Sequence, residues 1–138
     1  KFTTIFVNNA IYGMTGGQMA PTTLPGQLST TRPDGRDVST AGYPIRVSEL
    51  LSTLATPLYI ERVAVHTPRH VIRAKQAIRK AFEYQVNGAC FSLVEVLSTC
   101  PTNWGKTPDD SIHWLEKNMV PFYPLKRFRT PDSSGEVR

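Results

Sequence analysis

Cysteine is scarce in this chain. Cys90 and Cys100 are its only two, too few for a disulfide framework, and reduced thiols in a cytoplasmic protein are the expectation. Long hydrophobic runs are missing as well: no apolar stretch approaches the length of a membrane span, so no membrane is expected as a partner. No internal repeat is evident, which excludes solenoid and array architectures. Acidic residues are in the minority, 11 against 16 Lys and Arg, giving a formal charge of +5. That excess attracts nucleic acid, an acidic protein or an anionic cofactor alike and does not choose among them. What remains is a chain of 138 residues, 40% hydrophobic, of a size for one globular domain with a single core.

The first stretch, KFTTIFVNNAIYGMTGGQMAPTT, runs an apolar strand into two asparagines and a glycine-rich loop. Ile5, Phe6 and Val7 show no polar alternation, which predicts a strand buried on both faces, as in a parallel sheet covered by helices. Asn8 and Asn9 then stand at its carboxyl end, the edge where open α/β sheets bind ligands. Lys1 leads straight into this strand and few strands follow to flank it, so the chain is read as the C-terminal part of something longer.

Residues 13–46 are rich in Gly, Pro, Ser and Thr with little periodicity, and 18–46 read as a long loop or lid. Ser48 is expected to cap a short helix through Leu54, ended by Pro57, and LYIERVAV (58–65) reads as the second strand. Thr67-Pro68 opens a long helix, with Val71, Ala74, Ile78, Phe82 and Val86 as its expected buried stripe and Gly88 as its stop. CFSLVEVL (90–97) is the third strand. Thr107-Pro108 opens another helix with Asp110 in a capping box and Ile112, Leu115 and Met119 on one face. Residues 126–138 read as a C-terminal tail, frayed over RTPDSSGEVR. Alternating strands and helices predict an α/β class with a parallel sheet and flanking helices.

Several motifs are excluded. WGKTP carries the GKT ending of a phosphate-binding loop, but Cys100 stands where that loop needs its first glycine. GMTGGQ lacks the spacing of a dinucleotide fingerprint. His66 and His70 are separated by a helix start, so they form no HExxH site, and Cys90 reads as a small core residue. Arg69, Arg73, Lys75, Arg79 and Lys80 make one helix face basic, yet without interleaved aromatics, so nucleic acid is not the expected partner. Asn-Asn has a specific use in holding a Mg²⁺-bound diphosphate, which takes oxygen ligands in octahedral geometry. The Asn9 amide oxygen and the Ile11 carbonyl are candidate ligands, and Gly13, Gly16 and Gly17 would let backbone approach the cofactor closely.

NNAIYGMTGGQMAPTT closely resembles the thiamine-diphosphate loop of the β subunit of 2-oxoacid:ferredoxin oxidoreductases. The resemblance continues through GYPIRVSELL, ERVAVHTPRHVIRAKQAIRKAF and FSLVEVLSTCPTNWGKTP, from Phe6 to about Leu125, and YGMTGGQ and STCPTNWG are its most specific parts. Residues 1–125 would thus be the C-terminal part of a thiamine-diphosphate-binding domain. The family motif begins Gly-Asp-Gly and ends Asn-Asn; only the ending is here, so the aspartate ligand to Mg²⁺ is missing, as is the N-terminal Cys-Pro-Gly-Cys segment.

The resemblance implies Asn9 as side-chain ligand and Ile11 as carbonyl ligand to Mg²⁺. It places Gly13 and Thr15 against the diphosphate and Met14 beside the thiazolium and substrate. It makes Cys100 one cysteine ligand of an iron–sulfur cluster whose other ligands lie outside this chain. The activating glutamate would come from a partner polypeptide or domain. The implied reaction is oxidative decarboxylation of a 2-oxoacid to an acyl-coenzyme A, with electrons passed to ferredoxin and other subunits completing the enzyme. Two alternatives stay open: a non-oxidative thiamine decarboxylase, against which STCPTNWG argues, and a basic α/β module binding nucleic acid.

Overall fold

The computed structural model describes residues 1–56 and 58–131. Among these, four strands form one sheet: β1 (Thr3–Asn8), β2 (Leu58–Ala64), β3 (Phe91–Leu97) and β4 (Arg127–Arg129), in the spatial order β1-β3-β2-β4. β1 and β2 both pair parallel to β3, and β4 closes the far edge antiparallel to β2. The expected α/β class with a mostly parallel sheet is what the chain adopts.

Around the sheet lie α1 (Val38–Ala41), α2 (Val47–Leu51), α3 (Pro68–Val86), α4 (Pro101–Trp104), α5 (Pro108–Trp114) and α6 (Val120–Phe122). A single π-helical turn, Leu115–Met119, joins α5 to α6 just before Pro121. Proline cannot donate the backbone hydrogen bond that a regular helix would ask of it there. The helix starts follow their sequence signals: Thr67 accepts from the His70 amide at 3.3 Å, and Thr107 from the Asp110 amide at 3.1 Å. Gly88, at φ 64°, ends α3 in the left-handed region.

Strand alternation sorts the core into layers. Tyr59, Val63, Val94 and Val96 face α3, while Ile60, Leu93, Ala64 and Leu97 face the α2 and α5–α6 side. Here two expectations are corrected. β1 is an edge strand whose Ile5 and Val7 are exposed on one face, because α3 lies mainly over β2 and β3 and reaches β1 at Thr3, whose hydroxyl donates to the Ala81 carbonyl at 3.2 Å. The buried stripe of α3 is Ala74, Ala77 and Ala81 with Ile78 beside them, whereas Val71, Phe82 and Val86 are exposed. Small side chains let the helix approach the sheet closely, and that closeness sets which stripe faces inward.

Ser48 is corrected too. The helix cap is Arg46, without a side-chain bond, and Ser48 sits in the first turn with its hydroxyl turned to the sheet. β4 falls within the span read as tail, and no signal marked it, since a strand of three residues has no periodicity to read. Of the end expected to fray, 129–138, Arg129 instead belongs to β4, while residues 132–138, like Pro57, lie outside the described residues.

Candidate functional site at the carboxyl edge of the sheet

The two asparagines divide their work. Asn8 is buried; its amide donates to Glu95 Oε1 at 2.8 Å and its Oδ1 accepts the Ala10 N–H at 3.0 Å. Glu95 lies on the neighbouring strand β3, and its Oε2 also receives Ser48 Oγ at 2.5 Å and Arg62 Nε at 2.8 Å. Arg62 faces Glu95 directly in the parallel register and sends its other nitrogens to Glu49. Burial disfavours the Arg62 charge, but the hydrogen bonds and charges of Glu49 and Glu95 outweigh it and hold the guanidinium protonated. This network fixes the end of β1 from below. The sequence signal was a charge within each of two apolar strands, ERVAV and LVEVL, whose pairing became evident only from the register.

Asn9 follows the last residue of β1, at the carboxyl edge, half-buried. Its Oδ1 accepts the Ile11 N–H at 3.3 Å, which leaves a second lone pair on that oxygen. Between them Ala10 sits at φ 55°, a left-handed conformation that costs a residue with a Cβ about 1 kcal/mol or more. Its surroundings overdetermine it: the Ala10 carbonyl takes Thr23 Oγ1 at 2.7 Å and Gln27 Nε2 at 3.1 Å. The Ile11 carbonyl that follows accepts no hydrogen bond among the described residues. Asn8, Asn9, Ile11 and Tyr12 line a largely apolar cavity of about 340 Å³ together with Thr22 and Val47.

The loop beyond doubles back, with Tyr12 and Gln18 paired and Gly17 N–H bonded to Tyr12 O at 2.9 Å. Gly13 lies against the turn that follows β3. A Cβ there would stand 2.9 Å from Cys100 Sγ, 3.1 Å from Asn103 Nδ2 and 3.7 Å from Asn9 Nδ2. Asn9, Gly13 and Cys100, distant in sequence, are therefore brought together. Thr15 and Met14 are on the exposed tip of the loop, away from this junction; Thr15 bonds Gln18 at 2.6 Å and Met14 is fully exposed.

Two neighbours were missed by the sequence reading. Asn103 donates to Cys100 Sγ at 3.2 Å and also abuts Gly17, whose Cβ would meet its Oδ1 at 2.9 Å. Trp104 Nε1 donates to the Asn9 carbonyl at 3.2 Å, tying α4 to the end of β1. Both lie in the quoted STCPTNWG, but no spacing rule distinguishes a residue that packs a loop from one that merely follows it.

Residues 18–46 hold together around Arg36. Its buried guanidinium donates to six backbone carbonyls, those of Ala20, Pro21, Thr23, Ala41, Gly42 and Tyr43. Tyr123 pins the same segment from below by donating to the Thr22 carbonyl at 2.7 Å.

The residues fit part of each group that the motifs imply. Asn9 and Ile11 offer two oxygens for a hard cation, and Gly13 leaves a cradle that any side chain would fill. Cys100 is the one thiol at this edge, since Cys90 is buried just before the amino end of β3. Among the described residues no three His, Cys, Asp or Glu side chains gather into a metal site. A four-thiolate cluster would draw its remaining ligands from elsewhere.

His66 and His70 flank the same edge. Their rings stack with centroids 4.1 Å apart, and buried His66 Nδ1 has no hydrogen-bond partner. Burial, then the neighbouring His70, hold the His66 pKa below its usual value against the pull of Glu116. A depressed histidine contributes stability that is present above the unfolded pKa near 6.5 and is lost as pH falls toward the folded value. Urea denaturation should therefore show a stability advantage of wild type over His66→Asn that is level above pH 7 and shrinks below 6.5. An advantage constant from pH 7.5 to 5.5 would count against this.

Fold and site together define an α/β protein with a glycine loop and a cysteine turn meeting at the carboxyl edge of a parallel sheet. Across 99% of its length the chain is 47% identical to ketoisovalerate oxidoreductase subunit VorA of Methanothermobacter thermautotrophicus, and 46% identical to its counterpart in Methanothermobacter marburgensis. Over 98% of its length it is 34% identical to 2-oxoglutarate synthase subunit KorB of Methanocaldococcus jannaschii. Over this segment the chain belongs to the family of 2-oxoacid oxidoreductase subunits. It spans 28% of the length of the two VorA subunits and 47% of that KorB subunit. No family model matches the chain. Among the described residues no helix is long and apolar enough to cross a membrane.

Proposed function

We propose that this chain is part of the thiamine-diphosphate-binding β subunit of a 2-oxoacid:ferredoxin oxidoreductase, a cytoplasmic enzyme that converts a 2-oxoacid and coenzyme A to an acyl-coenzyme A. The observation that carries the reading is the convergence of Asn9, Gly13 and Cys100 at one sheet edge. The match with the ketoisovalerate oxidoreductase subunits, at 47% identity against 34% for the 2-oxoglutarate synthase subunit, supports a branched-chain 2-oxoacid as substrate.

When bound, thiamine diphosphate supplies the nucleophilic carbon and the electron sink for decarboxylation. The chain's own residues position and shield. Asn9 Oδ1 and the Ile11 carbonyl would hold Mg²⁺, and Gly13 and Thr15 would lie against the diphosphate. Met14, on the free tip of the loop, would be the residue offered to the thiazolium and substrate. The 18–46 segment, braced by Arg36, serves as the cover that keeps water out. Cys100 would supply one thiolate to an iron–sulfur cluster, a group whose chemistry is one-electron transfer toward ferredoxin. Other subunits or segments supply the remaining cluster cysteines, the aspartate ligand and the activating glutamate.

In the intact subunit, Asn9→Ala should weaken Mg²⁺-dependent binding of thiamine diphosphate by about tenfold or more, roughly 1.4 kcal/mol, with an unchanged melting temperature. Asn9 is a half-buried residue of the edge and not part of the core, so the fold has little to lose. An unchanged cofactor titration would remove Asn9 from the site.

A further inference from the structure

A second concavity shares no residue with the cavity that Asn8, Asn9 and Ile11 line. It lies between α3 and the β2–β4 margin, encloses about 340 Å³, and has Val63, Ala77 and Leu125 as its apolar floor. Arg73, Ala77 and Lys80 follow one another at helical spacing, so α3 presents both cations along one stripe of the groove. Lys126 and Arg127 form the opposite wall.

The charges in this groove do not cancel. Arg62, at its base, is spent on Glu49 and Glu95. Glu61 is the one carboxylate in the lining, and it is already bonded to Arg127 at 2.8 Å and to the Tyr59 hydroxyl at 2.5 Å. Arg73, Lys80 and Lys126 have no ion pair among the described residues. Lys80 lies over the Tyr84 ring at 5.4 Å and Lys126 over the Phe128 ring at 4.8 Å, contacts that steady the ammonium groups without neutralising them. His70 Nδ1 is engaged by Thr67 Oγ1, which leaves Nε2 as a further polar group on the lining. Three uncompensated cations around one hollow repel each other, and an anion of matching size relieves that cost.

We propose that this groove binds a phosphorylated small molecule of nucleotide size, its phosphates among Arg73, Lys80 and Lys126 and its body on the apolar floor. The volume is at the small end of ligand pockets, which run from about 300 to 1,000 Å³. A track for single-stranded nucleic acid would instead line a groove with aromatic rings on which bases stack. The aromatic residues here, Tyr84 and Phe128, sit beneath lysines and are not among the lining residues.

The test is equilibrium dialysis of ADP against the intact protein at low salt, with adenosine and inorganic phosphate as partial probes. ADP should bind, adenosine should not, and Lys80→Gln/Lys126→Gln should weaken ADP binding at least tenfold with an unchanged melting curve. Arg79→Gln removes a charge from the same helix outside the groove, where Arg79 pairs with Glu83 at 3.0 Å, and should leave ADP binding within twofold of wild type. No ADP binding at millimolar concentration, or an equal loss in Arg79→Gln, would overturn the proposal. So would tight binding of a short RNA that ADP does not displace.

Discussion

Glu95→Ala should lower the unfolding free energy by about 3–5 kcal/mol, the usual cost of leaving one partner of a buried ion pair alone. The Glu95 side chain is fully buried, as is that of Arg62, while Glu49 is partly open to solvent. Without Glu95, the Arg62 guanidinium keeps one carboxylate at the margin and loses the one beneath it. Asn8 Nδ2 and Ser48 Oγ lose their acceptor at the same time. Rings on either side, Tyr123 at 5.2 Å and Phe128 at 5.0 Å, hold the guanidinium in place, so it cannot swing out to water without unpacking them.

Since whole domains are stable by only about 5–15 kcal/mol, this one truncation should move the urea midpoint more than any surface change. The matching double variant Arg62→Met/Glu95→Leu should cost clearly less than the two single changes added together, because it leaves no orphaned charge. A loss below about 1 kcal/mol for Glu95→Ala would show that water or another group replaces the carboxylate.

The contrast between Glu95 and Asn9 shows what was legible. The first three strands, the long helix and the parallel class were readable because each rests on local periodicity and caps: Thr67-Pro68, Gly88 and Thr107-Pro108 all act where the sequence places them. Position at a strand's carboxyl end is likewise a local property, and Asn9 is there. What depends on register was hidden. Arg62 meets Glu95 only because β2 and β3 pair in parallel with those residues opposed. The stripe of α3 was misread for a related reason: Val71, Phe82 and Val86 have the helical spacing of a core face, but the sheet admits the alanine side. The loop after Gly13 looked structureless because its order comes from one arginine reaching six carbonyls, a pattern with no periodic trace.

Gly13→Ala tests whether the glycine loop and the cysteine turn act as one site. Gly13 has no left-handed backbone, so what bars a side chain is space alone. The added methyl would come within 2.9 Å of Cys100 Sγ, closer than real contacts allow, and within 3.1 Å of Asn103 Nδ2, a tight contact, so the side chains of the cysteine turn must shift away from the loop. Overpacking of this kind costs about 1–3 kcal/mol, and the displacement falls on Asn9, Cys100 and Asn103 together. Gly16→Ala is the matched control: at φ 113° it strains its own backbone, yet its methyl would meet nothing nearer than Gln18 Nε2 at 3.7 Å. In the intact subunit, Gly13→Ala should weaken Mg²⁺-thiamine diphosphate binding by about tenfold or more and change the alkylation rate of Cys100 by iodoacetamide. Gly16→Ala should leave that rate where it was. The thiol measurement needs neither cofactor nor turnover, so it reports the junction even if the proposed chemistry is wrong. An unchanged Cys100 rate and an unchanged cofactor titration in Gly13→Ala would mean that the loop and the turn merely lie side by side.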